Sequence, residues 1–102
     1  MEHEITIAEL ADLCCYRTHI KVLSAASGKV VINGVNQLRY SKDKRQAAKW
    51  NAFKDRKVYG IRPTVQIEGI KRDDQFFLMC IECWISKCEC EEAVEEYKAC
   101  VT

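Results

Sequence analysis

Four of the chain's seven cysteines fall together as Cys80, Cys83, Cys88 and Cys90, a C-x2-C-x4-C-x-C run. Four thiolates can hold a tetrahedral zinc ion. The spacing argues against that use, because Ile81 and Glu82 inside the first pair are followed by Trp84 with no glycine or proline to make a tight turn. In an extended strand, positions 80 and 83 point to opposite faces of the sheet. Redox chemistry is no better served: a reactive thiolate needs positive charge or a helix N-terminus nearby, and the neighbours here are Glu82, Glu89, Glu91 and Glu92. The expectation is therefore a set of buried apolar thiols and no cofactor. Zinc held by Cys80, Cys83, Cys88 and Cys90 stands as the alternative.

The second constellation is basic. Lys42, Arg45, Lys49 and Arg56 are spaced i, i+3, i+7 and i+14, so on one continuous helix they share a stripe. Such a line can neutralise phosphates or dock on an acidic protein surface. These four residues are the expected partner-binding site. Trp50 and Phe53 interleave with them and could stack on a base if exposed, but their spacing suits a core better. Elsewhere the chain has no glycine-rich phosphate loop, no nucleophile elbow and no paired histidine and carboxylate motif. His19 has no second histidine or carboxylate at ligand spacing, and His3 lies in a terminus expected to fray. The reading is non-enzymatic.

At 102 residues and 48% apolar composition, the chain suits one small globular domain spanning 1–102. The net charge is only +1, yet the charge is unevenly placed. Nine Lys/Arg between Arg39 and Arg62 face Asp43 and Asp55, a local +7; six glutamates from Glu82 onward face Lys87 and Lys98, a local −4. A dipolar chain presents a basic face without a basic pI. The opening MEHEITIAEL has no basic segment followed by an apolar one, and no apolar run approaches a bilayer-spanning length. A cytoplasmic, membrane-free protein with reduced thiols is expected, and the odd cysteine count agrees with that.

The elements that must position these groups follow from local signals. Thr6 with Glu9 has capping-box spacing, and Ile7, Leu10, Ala11 and Cys14 continue at helical intervals, which predicts a helix over 7–15. Residues 18–24 and 29–33 alternate around Ala25-Ala26-Ser27-Gly28 and predict a β-hairpin closed off by Asn33-Gly34. Ser41 is placed to cap a helix running to about Lys57, with Ala47, Trp50, Phe53 and Val58 inward. Gly60 then marks a turn and Pro63 ends the helical region. Residues 64–70 alternate as a strand, 71–75 form a polar link, and 76–85 (FFLMCIECWI) read as its antiparallel partner. A helical reading of 76–85 stays open, since a short apolar run does not settle its own period. In the strand reading Trp84 is expected among the more buried residues, anchoring the last strand to the sheet and helices. From Cys90 a short acidic C-terminal helix is expected, with Val94, Tyr97 and Val101 as inward positions.

The fold class is thus α+β: helix, hairpin, helix, hairpin, short helix, with both hairpins in one antiparallel sheet and the helices packed on it. The TIAEL opening, the THIKVLSAASGKVVING hairpin and the later strand TVQIEG resemble small uncharacterised accessory proteins of phages and prophages of Gram-positive bacteria. The resemblance spans about residues 5–85 and does not include the cysteine-rich end. It implies a phage-type protein that binds a host protein, a protein–nucleic acid complex or nucleic acid. One such role is an anti-CRISPR-like inhibitor of a nucleic-acid-targeting bacterial defence system, working in the host cytoplasm. The alternatives are a small zinc-stabilised nucleic-acid-binding domain, and a homo-oligomer that uses the cysteine-rich sheet face as its interface.

Overall fold

The computed structural model describes residues 5–14, 18–68 and 76–101, with backbone only at 66–68 and 76–79. In chain order the elements are β1 (Ile5–Thr6), α1 (Ile7–Leu13), β2 (His19–Ser24), β3 (Val30–Asn33), α2 (Val35–Arg39), α3 (Lys44–Phe53), β4 (Lys57–Glu68), β5 (Phe76–Ile85) and α4 (Lys87–Val101). The class is α+β, with one five-stranded sheet and four helices among the described residues. The strand order is β1-β4-β5-β2-β3. Three of the four pairings are antiparallel, but β2 runs parallel to β5, with His19 beside Cys80 and Ser24 beside Ile85. The sheet is therefore mixed, not the all-antiparallel one expected from two hairpins.

Local chemistry explains most element ends. The Thr6 hydroxyl accepts from the Glu9 amide while the Glu9 carboxylate accepts from the Thr6 amide, a closed capping box. Strands β2 and β3 pair as a hairpin, with a register shift between Val22 and Leu23 that admits Val31 as an extra residue. Asn33-Gly34 does not simply end that hairpin. Gly34 adopts φ 112°, a region open to glycine, and starts the five-residue helix α2, whose presence the turn signal had masked.

Helix α3 is shorter than expected. Asp43, not Ser41, caps it by accepting from the Arg45 amide, and Ser41 instead receives the Asp43 amide. The helix ends at Phe53, so Val58 belongs to a strand, where it is buried opposite Ile85. Gly60 and Pro63 also lie inside β4, where a turn and a helix stop were expected. Among the described residues β1 pairs with β4 only at Lys57 and Val58, so none of them asks Pro63 for the N–H it lacks on that side. Gly60 opposes Trp84, and a Cβ at position 60 would stand 3.2 Å from the indole. The glycine makes room for the ring.

Residues 76–85 are a strand, as the polar link before them favoured, paired to β4 throughout. The polar link at 71–75, together with His3 and Cys15, lies outside the described residues. Helix α4 begins three residues earlier than expected. The Ser86 hydroxyl accepts from the Glu89 amide, so Ser86 and Glu89 hold N-cap spacing that marked the start.

The core lies between one face of the sheet and the helices. Ile20, Val22, Ile32, Val58, Cys83 and Ile85 from the strands meet Ile7, Leu10, Ala11, Val35, Leu38, Ala52, Phe53 and Ala93 from all four helices. Every helix thus covers the same sheet face. The opposite face carries His19, Lys21 and Leu23 of β2 beside Cys80, Glu82 and Trp84 of β5. Trp84 is half-buried there under the Arg62 guanidinium, 5.5 Å from the ring centroid, rather than deep in the core. Arg62 also pairs with Glu82, its cross-strand neighbour. The Cα radius of gyration is 14.5 Å, above the roughly 13 Å of a spherical domain this size. On the long β4–β5 pair, Ile61 and Val65 stay exposed.

Candidate functional site

The expected four-membered basic stripe does not exist as one face. Lys42 precedes α3, in the linker from α2, and is exposed. Lys44 and Arg45 form the exposed first turn of α3. Lys49 stands one turn before Phe53, so it shares the core-facing side of the helix and is half-buried. It lines a cleft of about 290 Å³ with Val31, Phe53, Val94 and Tyr97. The inward residues of α3 are Ala52 and Phe53; Ala47 and Trp50 are only half-buried.

Arg56 lies beyond the helix and serves a different purpose. Its side chain is 12% exposed. The Nε–H donates to the Ala52 carbonyl at 3.0 Å, Nη1 meets Glu92 at 2.9 Å and Glu89 at 3.5 Å, and Nη2 meets Glu96 at 2.7 Å. Burial acts to lower its affinity for the proton, but bonding to Glu96 and Glu89 and their charge outweigh this and raise its pKa further. Arg56 therefore ties α4 to the α3–β4 connection and is not a solvent-facing member of a binding stripe. The outer side of α4 keeps an acidic surface at Glu91, Glu92, Glu95 and Glu96.

What the fold adds to the basic end of α3 is aromatic. The Arg39 guanidinium stands 5.6 Å from the Tyr40 centroid and 5.5 Å from the Trp50 centroid. Asp12 of α1 holds it at 2.7 Å. Tyr40 is 65% exposed. Lys42, Lys44 and Arg45 follow immediately, so the turn between α2 and α3 is a cationic corner with an exposed ring on it. Sequence reasoning passed over Arg39 and Tyr40. The signal was one aromatic, Tyr40, set among four cations in RYSKDKR.

The cysteines are dispersed. Cys80 and Cys83 are both buried but on opposite faces of the sheet, Cys88 is exposed on the first turn of α4, and Cys90 packs against the core. Among the described residues no three His, Cys, Asp or Glu side chains come together as a metal site. The strand geometry of β5 is the reason. Burial, with a smaller contribution from Cys14, pushes the Cys83 thiol up to about 12, and burial also raises Cys14. Both favour the unreactive thiol form. His19 bonds through Nε2 to Asn33 Oδ1 at 2.8 Å, linking β2 to the end of β3.

No protein-family model matches the chain, and neither a curated protein nor a solved structure shows significant similarity to it. No helix among the described residues is long and apolar enough to cross a membrane.

Proposed function

We propose that this chain is a non-enzymatic, phage-type binding protein that inhibits a nucleic-acid-targeting defence system of its bacterial host. It acts by docking the α2–α3 corner on an anionic surface of that machinery. The phage-type part rests on the sequence resemblance. The observation that supports the docking surface is the run Lys42, Lys44 and Arg45. All three are exposed, and no carboxylate pairs with them among the described residues. Arg56, by contrast, spends its charge on α4. Lys49 borders the surface but points toward the core side, so it belongs to its margin.

The test is a charge reversal, Lys42→Glu with Lys44→Glu and Arg45→Glu. Exposed charges contribute little to stability, so the melting temperature should change little. Capture of a partner from a nuclease-treated bacterial lysate should disappear, and wild-type capture should weaken as salt rises. A folded triple variant that captures the same partner as well as wild type overturns the proposal.

A further inference from the structure

We propose that the α2–α3 corner binds single-stranded nucleic acid, with a base stacked on Tyr40 and the flanking phosphates on Lys42 and Lys44. This inference rests on the reading of that corner as the working surface and names the ligand it takes. Tyr40 has the Arg39 guanidinium over its ring, 5.6 Å from the centroid, and is otherwise largely in water. Arg39 is itself held by Asp12 and lies over the Trp50 ring. Lys42 stands two residues beyond the ring and Lys44 four. A strand that lays a base on Tyr40 brings its neighbouring phosphates within reach of both ammonium groups.

The combination selects among anionic partners. An acidic protein surface needs the lysines but not the ring. A duplex hides its base faces in the stack, whereas a single strand offers them, and stacking on an aromatic is tolerant of sequence. The two carboxylates at the corner do not oppose the ligand freely: Asp12 is engaged by Arg39, and Asp43 accepts from the Arg45 amide.

The experiment is fluorescence anisotropy with labelled dT20, rU20 and a 20-base-pair duplex. Both single strands should bind more tightly than the duplex. The logarithm of affinity should fall with the logarithm of salt by about 0.7 for each phosphate engaged. Tyr40→Ala should weaken single-strand binding by about 5- to 150-fold and leave the salt slope unchanged, while Tyr40→Phe should bind like wild type. Lys42→Gln should lower the slope by about 0.7. Absence of single-strand binding, equal affinity for the duplex, or full affinity in Tyr40→Ala each overturns the inference. If the lysate still yields a nuclease-resistant protein partner that the charge-reversed variant loses, while the oligonucleotides do not bind, the docking proposal stands and the nucleic-acid inference alone falls.

Discussion

Arg56→Met removes the charge that holds α4 while keeping an unbranched apolar stem of similar reach. In the wild type the guanidinium makes one hydrogen bond to the Ala52 carbonyl and ion pairs with Glu89, Glu92 and Glu96. Glu92 and Glu96 are well exposed, so each pair contributes only about 0.5 kcal/mol. The bond to Ala52 at the buried end of α3, with the contact to the less exposed Glu89, contributes about 1–1.5 kcal/mol more. Glu92 and Glu96, one turn apart, would then repel without a counter-ion, adding a few tenths of a kcal/mol. The loss should total about 2 to 3 kcal/mol, a drop in melting temperature of about 10 °C or more for a domain of this size. Urea unfolding followed by circular dichroism, at low and high salt, measures it. The gap between variant and wild type should narrow at high salt, because two of the pairs are screened. Lys42→Met, which removes an exposed charge, serves as the comparison and should stay within about 0.5 kcal/mol. If Arg56→Met is equally neutral, α4 is held by its apolar face alone and the account of Arg56 is wrong.

Two further outcomes follow from particular residues. Gly34→Ala places a side chain at φ 112°, 3.0 Å from the Gln37 side chain and 3.3 Å from His19; it should cost about 1–3 kcal/mol by urea unfolding, and a neutral result would show that the start of α2 can relax. Cys83, neutral in the fold up to about 12 against an ordinary value of 9.0, retains its proton when the unfolded chain has released it. Its contribution is therefore complete below pH 9 and is lost as pH rises from 9 toward 12, at up to about 1.4 kcal/mol per pH unit. Cys83→Val should flatten that part of the stability curve, while Cys88 and Cys100, both exposed, should label quickly with a thiol reagent and Cys83 slowly. An unchanged alkaline slope in Cys83→Val would place the responsible group elsewhere.

Features that a few neighbouring residues decide were legible in the chain before it was folded. Thr6 and Glu9 announce α1, the alternation on either side of Gly28 announces the β2–β3 hairpin, and the polar link before 76–85 favours β5 as a strand. These signals act within one turn or one hairpin, where the entropy of closure is small. The dispersal of the cysteines was legible for the same reason, since period-two geometry separates Cys80 from Cys83 wherever the strand goes. The tertiary structure decided the rest. Gly60 and Pro63 are breakers by local chemistry, yet β4 passes through both: Trp84 needs the space above one, and no described residue of β1 pairs with the other. The parallel pairing of β2 with β5 joins residues some sixty positions apart, and no local pattern specifies it. The basic stripe failed on a similar point. Helical spacing groups Arg56 with Lys42, Arg45 and Lys49, but α3 stops at Phe53 and three glutamates of α4 claim the guanidinium. Tyr40 became a candidate only when α2 and α3 folded together and set Arg39 between its ring and that of Trp50.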